Sequence, residues 1–220
     1  MTMPAIERLL HRALTHSVSM VAKSVIRDMW WTVPRPSLAN PPAPGHVRSI
    51  LFVCKGNICR SPFGAARTRQ LLKEMEISGV ACDSAGLDTR QAARPPKEAC
   101  AAAGRFGVSL DDHRPQQVTA DTIAQHDLTV VMESAHLLIL RQRYPSCANR
   151  ILLLPLLNGH ASGYARYNIA DPYGQPLAVF QRCYSRMDEA LGTLIRTVIA
   201  PSAPSRVPST EFSRVENPFL

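Results

Sequence analysis

The stretch that most constrains this chain is Ser49-Ile50-Leu51-Phe52-Val53, which runs without a break into Cys54-Lys55-Gly56-Asn57-Ile58-Cys59-Arg60-Ser61. From Pro62 onward the residues take on helical character. A strand turns alternate side chains to opposite faces, so a run that is apolar from Ile50 onward needs cover on both sides. That demand is met by a parallel sheet packed between helices. Val80-Ala81-Cys82-Asp83-Ser84, Leu128 to Met132 and Ile151 to Leu154 read as three further strands, the last bounded by Pro155. Helical spacing falls between them. Phe63 to Met75 places Leu71, Leu72 and Met75 on an inner face, and a helix opens at Pro95-Pro96 and stops at Gly104 or Gly107. Ser134 to Arg143 ends before Pro145, and Pro176 to Val198 carries an apolar stripe from Val179 to Ile195. The expected fold is α/β, a three-layer sandwich with a four-stranded parallel sheet, helices on both faces and the Cys54–Ser61 loop after the first strand.

A cysteine and an arginine six positions apart, on a loop between strand and helix, form a compact anion trap around a nucleophile. Backbone N–H groups of such a loop can converge on one tetrahedral anion, and the following helix adds the positive end of its dipole. The thiolate is the reactive form of a cysteine, and the planar fork of Arg60 can hold two oxygens of the bound group. Ligands of parallel sheets bind beyond the C-terminal strand ends, which is where Cys54 lies. The implied chemistry is attack by sulfur on a phosphate or a similar oxyanion.

The chain has 220 residues, room for one core plus tails. A net charge of +8 favours anionic ligands. There is no zinc-finger spacing and no RNA-binding aromatic motif, so nucleic acid is not an expected partner. The six cysteines are scattered rather than arranged as a disulfide framework, which suits reduced thiols and a cytoplasmic location. No apolar run approaches the length of a transmembrane helix. Arg8, His11, Arg12 and His16 interrupt the N-terminal apolar residues, against a signal peptide.

Four regions follow. Residues 1–32 read as an amphipathic helical extension, 33–47 as a Pro-rich linker, 48–200 as a catalytic domain and 201–220 as a disordered tail. Two readings of the extension stay open: an accessory helix packed on the domain or on a partner, which is favoured, and peripheral contact with an anionic membrane.

The loop has the fuller form C-x-G-N-x-C-R-S-P, opens the first strand–helix unit of its domain, and is matched far downstream by Asp171-Pro172-Tyr173 before the last helix. With Asp83-Ser84-Ala85-Gly86, Asp112 to Val118 and Asp127 to Met132, these features resemble the low-molecular-weight protein tyrosine phosphatases over residues 48 to 198. The resemblance implies hydrolysis of phosphate monoesters, with protein phosphotyrosine as substrate. Cys54 attacks phosphorus and forms a phosphocysteine. Arg60 and the loop formed by Lys55, Gly56, Asn57, Ile58, Cys59 and Ser61 bind the phosphate oxygens. Asp171 protonates the leaving oxygen and then activates water. Asn57 holds the loop with Ser84 as its hydrogen-bond partner, Ser61 donates to the sulfur, and His113 supports the fold. No metal or other cofactor is called for. The implied partner is a phosphorylated protein, such as a bacterial tyrosine kinase linked to exopolysaccharide export.

The chain departs from that pattern in its cleft. Lys55 stands where an apolar side chain is common and can attract an acidic substrate. Leu87-Asp88-Thr89-Arg90-Gln91 contains no aromatic to stack on a phosphotyrosine ring. Arg90 is a candidate contact for a second anionic group, and Tyr173 for a wall of the cleft. Cys59 is either a small packing residue or the partner of a reversible disulfide with Cys54. Two other functions remain: a thiol-dependent arsenate reductase relaying a disulfide through Cys82 and Cys100, and a non-catalytic phosphate-binding module.

Overall fold

Four parallel strands, β1 (Ser49–Cys54), β2 (Ala81–Gly86), β3 (Leu128–Val131) and β4 (Ile151–Leu153), form one sheet in the order β2-β1-β3-β4. The computed structural model describes residues 36–42, 45–89 and 94–200; the expected helical extension over 1–32, the expected tail and Arg90 lie outside the described residues. Six α-helices cover the sheet within that span: α1 (Arg60–Glu74), α2 (Lys97–Gly104), α3 (Ala120–Ala124), α4 (Ser134–Arg143), α5 (Gly163–Tyr167) and α6 (Leu177–Leu194).

The alternation along β1 sorts its residues into two cores. Ile50, Phe52 and Cys54 pack with Phe63 and Leu72 of α1, the alanines of α2 and the apolar stripe of α6. Leu51 and Val53 face the other way, against Leu137 and Leu140 of α4, Ile123 of α3 and Tyr167 of α5. Each fully buried large apolar side chain stabilises by roughly 1.5–3 kcal/mol relative to exposure. This explains why a strand buried on both faces reads as a continuous apolar run. Met75 departs from the expected inner face of α1: it is 41% exposed, because it is the C-cap residue where the chain leaves the helix.

With β1 flanked by β2 on one side and β3 on the other, the chain leaves the sheet in opposite directions around its C-terminal end. The resulting crevice is the usual ligand position in open α/β sheets. Cys54 lies in register with Gly86 at that end.

The expected linker is partly anchored to the domain. Pro36–Leu38 forms a 3-10 turn whose Leu38 is buried in the α4-side core. The Asn40 side chain accepts from the Leu153 amide at 2.7 Å and donates to the Leu153 carbonyl at 3.2 Å. Those are free backbone groups of the edge strand β4, and capping them removes a template for unwanted strand pairing. Arg141 of α4 secures the strap by donating to the carbonyls of Ser37 and Ala39. No helix among the described residues is long and apolar enough to cross a membrane.

Candidate active site

The loop from Cys54 to Arg60 is held in shape by hydrogen bonds that converge on Asn57. Asn57 is fully buried and adopts φ 53°, a left-handed conformation that asparagine tolerates better than most side chains. Its Nδ2 donates to Ser61 Oγ and to Ser84 Oγ, both at 2.9 Å. Its Oδ1 accepts from the Gln116 amide at 2.8 Å. The Asn57 carbonyl lies 2.8 Å from His113 Nε2, which must be the donor there. Burial lowers the His113 pKa and outweighs the bond to the Asn57 carbonyl, which pulls the other way. At the far end of the loop, Tyr184 of α6 donates to the Cys59 carbonyl at 3.0 Å while its ring stacks on Phe63.

Gly86 completes the support. A Cβ there would lie 2.8 Å from the Lys55 carbonyl oxygen and 2.9 Å from the Asn57 amide nitrogen, so only glycine lets β2 approach the loop this closely.

Within this frame Cys54 is 2% exposed, with its Sγ 3.0 Å from Ser61 Oγ. Ser61 has one hydroxyl hydrogen and two acceptors for it, the sulfur and the Ala85 carbonyl at 3.1 Å. A hydroxyl so placed can turn toward the sulfur whenever that atom carries negative charge.

Arg60 is 1% exposed and sits at the meeting point of three groups. Nη1 pairs with Glu133 and donates to the Ile169 carbonyl at 2.9 Å, while Nη2 lies 2.8 Å from Asp171 Oδ2. Burial alone would disfavour the guanidinium charge, but Cys54, Asp171 and Glu133 outweigh it and raise the Arg60 pKa. Its Nε is buried without a protein partner, a donor suited to an oxyanion above the sulfur. Asp171 is more open, and its Oδ1 accepts from the Tyr173 amide at 3.3 Å.

Cys54, Asn57, Arg60, Ser61, Ser84 and Asp171 therefore come together. Lys55 and Asp171 line a cleft of about 960 Å³, between Leu87, Thr89 and Gln117 on one side and Ala135, His136 and Ile139 of α4 on the other. Gly56 and Ile58 occupy the outer part of the loop, half-buried. Tyr173 is 61% exposed and is not among the cleft-lining residues. Cys59 is buried, which pushes its thiol pKa up.

Sequence reasoning missed Glu133 and His136. Glu133 lies two residues beyond the end of β3, where ligands of parallel sheets gather, and only the position of β3 beside β1 brings it to Arg60. His136 is one helical turn further on, 5% exposed, with Nε2 3.8 Å from Glu133 Oε1 and Nδ1 buried without a partner. Burial first, then the Arg60 charge, lowers its pKa to about 3. An unfolded histidine titrates near 6.5, so below that pH the unfolded chain takes up a proton the native site refuses. Stability is thus expected to fall between about pH 6.5 and pH 3, by about a factor of ten in the folded-to-unfolded ratio per pH unit from this residue alone. Urea unfolding across that range should show a slope smaller by about one proton in His136→Gln. An unchanged slope would refute the assignment.

The thiols a disulfide relay would need are poorly suited to it. Cys82 in β2 is 3% exposed and burial pushes its pKa up to about 12, while burial also raises that of Cys100. Neither is a ready thiolate.

The family model described as low molecular weight phosphotyrosine protein phosphatase matches residues 49–202. The chain is 36% identical over 144 residues to the "Probable low molecular weight protein-tyrosine-phosphatase AmsI" of Erwinia amylovora, covering 66% of this chain and 92% of that protein. The crystal structure of the Erwinia amylovora tyrosine phosphatase AmsI superposes with a TM-score of 0.62 at 32% identity, covering 72% of this chain and 99% of that one. Vibrio vulnificus Wzb, solved in complex with benzylphosphonate, gives a TM-score of 0.61 at 30% identity, over 69% of this chain and 99% of its own.

Proposed function

The chain belongs to the low molecular weight phosphotyrosine protein phosphatases, and from that premise we infer how its own residues carry out phosphate-monoester hydrolysis. Cys54 Sγ attacks phosphorus in line with the ester oxygen. The S–P bond forms as the P–O bond breaks, and Asp171 gives its proton to the departing phenolic oxygen. Arg60 Nε and the loop amides stabilise the charge on the three equatorial oxygens. In the second step the Asp171 carboxylate takes a proton from water as the water attacks phosphocysteine, and the sulfur leaves with the Ser61 hydroxyl turned toward it.

The observation that carries this reading is the convergence of Arg60 on Asp171 beside Cys54, with a buried donor of Arg60 left unpaired. The Ser61 and Asn57 contacts around the nucleophile support it. Asn57, Ser84 and His113 act as positioning residues that hold the loop. The substrate is a phosphorylated protein, and a bacterial tyrosine kinase linked to exopolysaccharide export is the candidate partner.

A two-step mechanism makes a kinetic demand. Rapid mixing with para-nitrophenyl phosphate under reducing conditions should give a burst of nitrophenol approaching one equivalent per enzyme, and a phosphotyrosyl peptide should be turned over in preference to its phosphoseryl counterpart. A protein inert toward both aryl substrates overturns the reading.

A further inference from the structure

We propose that the cleft reads a second acidic group on its phosphoprotein substrate, a carboxylate or a further phosphate near the phosphotyrosine in sequence, through Arg143 and Lys55. The proposal rests on the phosphatase reading above and concerns which phosphoproteins that site prefers.

Lys55 and Arg143 line the same cleft from different elements. Lys55 lies beside the nucleophile in the loop after β1, and Arg143 occupies the last turn of α4. Both are exposed, and among the described residues neither side-chain cation has a hydrogen bond or ion pair. Among the described residues, the other charges that line the cleft are committed. Glu133 and Asp171 are held by Arg60, and Asp88 has an interaction of its own. Arg141, two residues before Arg143, spends its guanidinium on the carbonyls of Ser37 and Ala39. Arg143 is therefore the basic group of that helical turn left free to meet a ligand.

Geometry sets where the acidic group must be. Glu133, at the phosphate end, precedes Arg143 by ten residues along α4, a span of about 15 Å at the helical rise. A phosphotyrosine side chain anchored at Cys54 takes up a large part of that distance, and an extended peptide advances at most about 3.5 Å per residue. An acidic side chain within about three residues of the phosphotyrosine can then approach Arg143, while Lys55 meets one folded back toward the loop. Among the described residues no Phe, Tyr or Trp lines the cleft, which leaves these charges and aliphatic contact with Ile139 and Leu87 to select the peptide.

The test compares kcat/KM for matched phosphotyrosyl peptides flanked by glutamate, by a second phosphotyrosine, or by glutamine and tyrosine. Exposed ion pairs of this kind are worth about a two- to fivefold preference each. The wild type should favour acidic over neutral flanks by about fivefold or more at low ionic strength, less so in high salt. In Arg143→Gln that ratio should fall to about two, and in Arg143→Gln with Lys55→Gln to one. Comparing the two acidic arms tells whether carboxylate or phosphate is preferred. A wild-type ratio near one, or a ratio that survives both substitutions, overturns the proposal while leaving the phosphatase intact. Failure of the wild type on para-nitrophenyl phosphate and on every peptide sinks both.

Discussion

Cys54→Ser is expected to lower turnover of para-nitrophenyl phosphate by about 10⁴-fold or more, as removal of an enzymatic nucleophile generally does. The substitution changes one atom, and a serine hydroxyl lacks the nucleophilic anion that sulfur supplies. The rest of the anion site stays in place. Asn57 still bonds Ser61 and Ser84, Tyr184 still holds the Cys59 carbonyl, and Arg60 keeps Nε available. The variant should therefore bind a phosphotyrosyl peptide without consuming it. Calorimetry with that peptide and a stopped assay read the two properties separately. Activity within a hundredfold of wild type would move the nucleophile elsewhere. Loss of binding together with turnover would mean that the sulfur holds the loop as well as attacking from it.

The burial pattern explains which parts of this arrangement the sequence disclosed. Strands β1, β3 and β4 were recognisable because both faces are covered, leaving nearly uninterrupted apolar runs at Ile50 to Val53, Leu128 to Met132 and Ile151 to Leu154. Helix α4 matched its expected bounds, Ser134–Arg143, because Pro145 closes it. The five-residue helices α3 and α5 escaped notice, since one turn is too short to show a period. Asn40 escaped for another reason: nothing local marks it, and its partner is the backbone of Leu153 more than a hundred residues away. In the site, Cys54, Arg60 and Asn57 belong to one loop and are visible as a pattern. Glu133 and His136 matter only because β3 ends beside β1, which is a fact about sheet order. Charge commitment is likewise invisible in sequence. Arg141 and Arg143 look alike there, yet one is spent on the strap and the other faces the cleft.

Asp171→Asn should reduce kcat on phosphotyrosyl peptides by about 10²- to 10³-fold, the usual range for loss of a general acid–base. The choice of asparagine removes the transferable proton while keeping the side chain's size, its turn-forming character and one acceptor oxygen. The asparagine carbonyl can still accept from Arg60 Nη2, the contact Asp171 makes through Oδ2, while the longer Tyr173 amide contact at Oδ1, 3.3 Å, gives way. Asparagine also forms turns as readily as aspartate. If Asp171 were only a turn former before Pro172, activity would survive the exchange. Dependence on the leaving group sharpens the point. A phenol of low pKa departs without a proton, whereas tyrosine does not. The loss should be small for strongly activated aryl phosphates and grow with leaving-group pKa, so the plot of log kcat/KM against that pKa becomes steeper in the variant than in the wild type. Parallel plots would show that Asp171 contributes through its charge on Arg60, and proton donation would have to be assigned to another group in the cleft.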